Sequence, residues 1–191
     1  RLTTDDQASI CRFSKKFGCP VADAPHLLKV AQSLGLDVAG VSFHVGSGCG
    51  DANAYITALK DARAVFEAAE ALGMPSMHII DIGGGFPGEL VGSSNSATAG
   101  VHGDFTAPTF QQLAHAIRTG IDEVCTTLGR SAESIRFIAE PGRYFVSGCT
   151  TIASRVFSRK GGQAAYQALY IDDGVYGSFN NVVYDHVVPV P

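Results

Sequence analysis

Three clusters of residues in this 191-residue chain have the types and spacing that chemistry requires. Each follows a short apolar run: Phe43-His44-Val45-Gly46-Ser47-Gly48, then Asp81-Ile82-Gly83-Gly84-Gly85-Phe86-Pro87-Gly88, then Glu140-Pro141-Gly142-Arg143-Tyr144. Consecutive glycines let a backbone turn tightly and present successive N–H groups, a nest that suits a phosphate. The same string also serves as ordinary tight-turn punctuation. Ser47 lies between two glycines, where its hydroxyl and the neighbouring N–H groups reach one anion. Arg143 offers a planar guanidinium for a bidentate contact to it. Together, Ser47, Gly83, Gly84, Gly85 and Arg143 outline an anion site drawn from three strand ends. The glycines do not follow the GxGxxG order and no helical pattern succeeds them at once, so a dinucleotide fingerprint is poorly supported.

His44 and Glu140 call for other roles. A histidine directly after an apolar strand is more often a hydrogen-bonded structural residue than a catalyst. A carboxylate such as Glu140, facing a ring nitrogen, would hold that nitrogen protonated and make the ring an electron sink. The plainer alternative is a strand-end glutamate paired with a surface lysine.

The elements that must position these residues alternate in type. Asp23 reads as an N-cap with Pro25 in the first turn, and Leu27, Leu28, Ala31 and Leu34 form a stripe that ends at Gly35. Residues 38–43 read as a strand apolar on both faces, as buried parallel strands are. A second helix carries Ile56, Leu59, Ala62, Val65, Phe66, Ala69 and Leu72 on one face and stops at Gly73. Residues 77–82 form the next strand. Thr109 with Gln112 makes a capping-box signature ahead of Phe110, Leu113, Ile117, Ile121, Val124 and Leu128, with Gly129 as the stop. Residues 135–139 form a third strand. Such βα units build a parallel sheet, either open and doubly wound or closed as a (β/α)8 barrel. Periodicity does not separate the two. From about residue 150 the texture changes: residues 150–159, 168–171 and 181–190 read as β-rich, which suggests a second domain over 150–191. The run 89–108, rich in Gly, Ser, Ala and Thr, reads as a long flexible loop.

Composition narrows the partners. Net charge is −4, and no basic run exceeds Arg159-Lys160, which argues against nucleic acid. No apolar stretch approaches the roughly 20 residues that a membrane span needs, and the start lacks a signal-peptide layout. The five cysteines are scattered without CxxC spacing and read as reduced cytoplasmic thiols, not as a disulfide frame or a metal site. The ends, Arg1-Leu2-Thr3 and Pro189-Val190-Pro191, suggest a segment of a longer polypeptide.

Four strings in order, GVSFHVGSGC at 40–49, DIGGGFPG at 81–88, AEPGRY at 139–144 and DGVYGSFN at 173–180, resemble the group IV pyridoxal-phosphate-dependent decarboxylases of the alanine-racemase-like fold. The eukaryotic ornithine-decarboxylase type is the nearest. The resemblance spans the chain apart from a longer 89–108 loop. It implies a partial (β/α)8 barrel over 1–149 followed by the start of a β domain, pyridoxal 5'-phosphate as cofactor, and decarboxylation of L-ornithine to putrescine, the first step of polyamine synthesis.

Residue by residue, the resemblance implies that His44 stacks on the pyridine ring. Ser47, Gly85 and the Gly142-Arg143 pair would hold the phosphate, with Gly83, Gly84 and Pro141 in the same turns. Glu140 would meet the pyridine nitrogen, so that Glu140 and His44 are the catalytic pair. Tyr184 and Asp185 would bind substrate, the aspartate at the distal ammonium. Arg1 falls where the family has an arginine near the cofactor. The family's Schiff-base lysine lies upstream of Arg1, and none of Lys15, Lys16, Lys29, Lys60 or Lys160 sits in its context. A product-protonating cysteine and its aspartate lie downstream and come from the other subunit, which implies a homodimer and an inactive isolated segment. Antizyme is a candidate regulatory partner. Alternatives are an arginine, lysine or diaminopimelate decarboxylase, or a non-catalytic antizyme-inhibitor-like regulator.

Overall fold

A computed structural model describes residues 1–74, 77–88, 108–161 and 167–184. In chain order its elements are β1 (Ser9–Cys11), a 3-10 turn (Val21–Asp23), α1 (Ala24–Ser33), β2 (Gly40–Ser42), β3 (Ser47–Cys49), α2 (Asn53–Ala71) and β4 (Ile79–Asp81). There follow α3 (Phe110–Leu128), a second 3-10 turn (Ala132–Ser134), β5 (Arg136–Ile138), α4 (Gly142–Val146), β6 (Val156–Lys160), β7 (Ala168–Ile171) and α5 (Asn181–Tyr184).

The three strands expected to be parallel are so, in the order β2-β4-β5. Their register sets Ser42 beside Asp81 and Asp81 beside Ile138. Tight spacing of β2 on β4 depends on Gly40, where a Cβ would collide with the Ile79 carbonyl. Helices α2 and α3 lie side by side, with Gly120 leaving room for the Leu59 side chain (a Cβ on Gly120 would stand 2.6 Å from Leu59 Cδ1). Tyr55, Phe43, Phe66, Leu59, Ile80, Leu113, Val45 and Val124 are fully buried and make up the centre of the core. The α3 limits follow the sequence closely. Thr109 Oγ1 accepts from the Gln112 N–H while Gln112 reaches back to the Thr109 N–H, and Gly129 closes the helix with φ 61°.

Several sequence expectations need correction. Asp23 makes no capping hydrogen bond to α1, because the preceding 3-10 turn leaves it with helical dihedrals (φ −87°, ψ −16°) instead of the extended ones a cap requires. Of the α1 stripe only Leu28 is buried, and Leu34 is 67% exposed. At 100° per residue the stripe is centred to one side of Ala24 and Leu28, the two residues of this helix that join the core. Strand β6 begins at Val156, not at residue 150, and Asn181–Tyr184 is a helical turn instead of a strand. There the Asn180 carbonyl accepts from both the Val183 and Tyr184 N–H groups and curls the chain. The expected loop over 89–108 falls, apart from Pro108, outside the described residues, as do 185–190 of the last β-rich run.

Candidate functional site

Register places the site. Two residues beyond Ser42, Asp81 and Ile138 stand His44, Gly83 and Glu140, so three sequence-distant clusters emerge level with one another. Pairing continues past the strands: the Phe43 N–H donates to the Asp81 carbonyl (2.9 Å), the Ile82 N–H to Ile138 (2.8 Å) and the Glu140 N–H to Gly83 (2.8 Å).

The glycine turn is buried and has directional order. The Gly83 N–H donates to Asp81 Oδ1 at 2.8 Å. Its three carbonyls are all engaged from outside: Gly83 by the Glu140 N–H (2.8 Å), Gly84 by the Tyr55 hydroxyl (3.0 Å) and Gly85 by the Cys49 N–H (3.0 Å). Among the described residues, the N–H groups of Gly84, Gly85 and Phe86 donate to nothing. Buried backbone donors are nearly always paired, so three successive unspent ones mark where a ligand's acceptors belong. Glycine is required on steric grounds too. A Cβ on Gly84 would stand 2.8 Å from His44 Nε2, and one on Gly85 (φ 106°) 2.6 Å from the Gly46 carbonyl.

Ser47 and Arg143, 96 residues apart in sequence, meet here: Arg143 Nη2 donates to Ser47 Oγ at 3.3 Å. Ser47 lies on β3, which β1 holds in antiparallel register with Cys11 opposite Ser47. Arg143 lies in α4, which starts directly after Pro141. A guanidinium, a hydroxyl and unspent N–H groups are a donor-rich set fitted to an anion such as a phosphate.

His44 is held from three sides. Its Nδ1 accepts from the Gly46 N–H at 3.0 Å, which puts the neutral ring's proton on Nε2. The Phe13 ring meets it edge-on with centroids 5.0 Å apart, and Thr4 Oγ1 donates to its carbonyl at 2.8 Å. Burial, and next the Arg1 charge, hold its pKa below the usual histidine value, with Asp81 opposing them. The ring is therefore neutral at pH 7.

The Glu140 backbone is fixed against Gly83, and its side chain is exposed at the rim. The Gly142 N–H donates to the Glu140 carbonyl at 2.8 Å, and a Cβ on Gly142 would meet nothing within 4 Å. The Arg1 guanidinium lies over the Phe17 ring at 5.2 Å, and its charge reaches His44. Tyr184 is 75% exposed on α5, and among the described residues it makes no hydrogen bond or ring contact with the cluster. Asp185 lies outside them. A cavity of about 390 Å³ opens next to the cluster, lined by Phe86, Phe110, Ile117, Ile121 and Tyr144 among others, but His44, Ser47 and Arg143 do not line it.

Residues 1–147 match the family model described as pyridoxal-dependent decarboxylase, pyridoxal binding domain. The chain belongs to the pyridoxal-dependent decarboxylases. The chain is 38% identical to mouse (Mus musculus) ornithine decarboxylase over 199 residues, covering 97% of this chain and 39% of that protein. Antizyme inhibitor 2 of Xenopus laevis is also 38% identical, over 202 residues covering 100% of this chain and 40% of that protein. The solved arginine decarboxylase of Paramecium bursaria Chlorella virus, bound to agmatine, superposes with a TM-score of 0.83 at 27% identity, covering 100% of this chain and 46% of that one. The chain thus spans about two fifths of the length of these two curated relatives. Of the two architectures left open by periodicity, it follows the barrel: β2, β4 and β5 are part of the α/β barrel of the family's pyridoxal-binding domain.

The supports of this cluster lie outside the periodic patterns of the sequence. Tyr55 shares a helical stripe with Leu59, Ala62, Phe66 and Ala69, one residue ahead of the start that the apolar spacing gives at Ile56, which is only half-buried. Asp6, Phe13 and Ser14 gave no signal, because their contacts close a loop that has no periodic pattern.

Proposed function

We propose that the protein containing this chain decarboxylates L-ornithine to putrescine with pyridoxal 5'-phosphate, and that the strand-end cluster holds the cofactor. One observation carries the reading: three unspent N–H groups from Gly84, Gly85 and Phe86 share one strand-end cluster with the Ser47–Arg143 pair and a neutral His44 ring. When bound, the cofactor supplies an electron sink for the charge left as CO₂ departs.

In this reading the chain's own residues divide the work. Ser47, Arg143 and the N–H groups of Gly84, Gly85 and Phe86 grip the phosphate, and Gly83, Pro141 and Gly142 shape the turns around it. His44, uncharged and braced by Phe13, presents a flat face to the pyridine ring. Glu140, with its backbone fixed to Gly83, keeps a proton on the pyridine nitrogen. Arg1 lends positive charge to the same side. Tyr184 and Asp185 select the substrate, since an unpaired aspartate penalises amino acids without a distal cation. A domain boundary near residue 150, a homodimer with sites at its interface, a cytoplasmic location and regulation by antizyme belong to the same proposal.

The antizyme inhibitor is as similar to this chain as the mouse decarboxylase, so identity does not separate enzyme from regulator. The donor set favours the enzyme, because a protein that binds only a regulatory partner needs no unspent buried donors. CO₂ release from L-ornithine, L-lysine, L-arginine and diaminopimelate by the intact protein tests the proposal. Ornithine should be preferred. Preference for another substrate removes the Asp185 assignment, and cofactor binding without CO₂ release points to the regulator. Glu140→Ala should leave cofactor binding measurable and lower turnover by orders of magnitude.

A further inference from the structure

The three carbonyls of the glycine turn are anchored differently. Glu140 and Cys49 hold Gly83 and Gly85 through backbone N–H groups, which any residue but proline would supply at those positions. Among the described residues, only Gly84 is held by a side chain, the Tyr55 hydroxyl reaching it at 3.0 Å from the first turn of α2. Tyr55 is 0% exposed, and its ring packs on Phe86 with centroids 5.4 Å apart. Burial, and next the Cys49 thiol, push its pKa far up, so the phenol remains a neutral donor throughout the working pH range.

A trans peptide holds its C=O and the following N–H antiparallel in one plane. Whatever fixes the Gly84 carbonyl therefore aims the Gly85 N–H. Between two glycines that peptide plane has little steric resistance to rotation, and both neighbours already occupy positive φ (Gly83 64°, Gly85 106°). We infer that Tyr55 is a positioning residue for phosphate recognition: by capturing the Gly84 carbonyl, it turns the Gly85 N–H away from the core and into the anion site. This inference rests on reading the cradle as the cofactor's phosphate site.

The test compares two probes, pyridoxal 5'-phosphate and pyridoxal, on the intact protein and its Tyr55→Phe variant. Removal of one hydrogen bond should weaken pyridoxal 5'-phosphate binding about five- to tenfold and leave pyridoxal binding unchanged. The ³¹P resonance of the bound phosphate should move with it. Unchanged affinity, or equal weakening of both probes, overturns the inference while leaving the cofactor reading in place. If the unaltered protein already binds both probes equally, the phosphate reading fails and the inference goes with it. Should Tyr55→Phe yield no folded protein, amide exchange at Gly85 in the unaltered protein decides. Slowing by pyridoxal 5'-phosphate supports the inference, and no slowing overturns it.

Discussion

Two turns in this molecule share a local recipe and differ in outcome. Residues 81–88 and 173–180 each begin with an aspartate that captures nearby backbone N–H groups, Asp81 that of Gly83 (2.8 Å) and Asp173 those of Gly174 (2.7 Å) and Ser178 (3.0 Å). In the first, residues 82–88 are buried and the carbonyls are held by three other segments. The second is wound on itself, the Gly174 carbonyl accepting from Gly177 and Phe179, with Tyr176 fully exposed. An aspartate-led glycine turn therefore folds locally in either place. It becomes a cradle only where outside groups consume its acceptors and leave its donors unspent.

The sharpest way to break this comparison is to add one methyl group to each turn. Gly85→Ala forces a positive φ of 106° on an L-residue and drives its Cβ to 2.6 Å from the Gly46 carbonyl. We expect a loss of about 3 kcal/mol or more in denaturant unfolding and no measurable anion binding. Gly174→Ala, with nothing within 4 Å of its Cβ, should stay within about 0.5 kcal/mol. Equal costs would remove the distinction.

A smaller effect is expected one layer out. Asp6 accepts from the Phe13 N–H at 2.6 Å and the Ser14 N–H at 2.8 Å, and so holds the segment that presses Phe13 on His44. Asp6→Ala strands both donors and should cost about 2–3 kcal/mol. Burial by itself would raise the Asp6 pKa, but these N–H groups and the Ser14 hydroxyl outweigh it and hold the carboxyl below its usual value. A lowered carboxylate pKa gives stability that is present above about pH 3.9, the unfolded value, and lost as pH falls through the folded one. Acid unfolding should therefore be less steep in Asp6→Ala than in the parent.

The smallest effect concerns His44. Its folded pKa lies below about 6.5, so the unfolded chain binds the proton more readily, and stability declines as pH drops from 6.5 through the folded value. Protonation also removes the lone pair that accepts the Gly46 N–H. Cradle affinity for pyridoxal 5'-phosphate should weaken over that same window, which NMR titration of the His44 ring would identify. Loss of affinity at higher pH instead would point to another group.

Much of the site was legible because its elements obey periodic or capping rules. The α3 limits followed from Thr109, Gln112 and Gly129, and the three parallel strands lay within one or two residues of the apolar runs. That Ser47 and Arg143 belong together followed from their matching strand-end positions, which parallel register enforces. What escaped was set by packing over distance. Asp23 had the right residue type for a cap and the wrong dihedrals, and Leu34 had the right period with no neighbour to cover it. Tyr55 lies just outside the stripe read for α2, and its role depends on its hydroxyl meeting one particular carbonyl.

The 96-residue separation of Ser47 and Arg143 in sequence has a kinetic consequence. Joining groups so far apart in sequence costs loop entropy that helices and hairpins, closed locally, do not incur. A refolding chain should gain its helical signal before it gains any affinity for an anion. Since a ligand that binds only the finished site stabilises it in proportion to the logarithm of ligand concentration, the molecule's thermal midpoint should track its ligand supply.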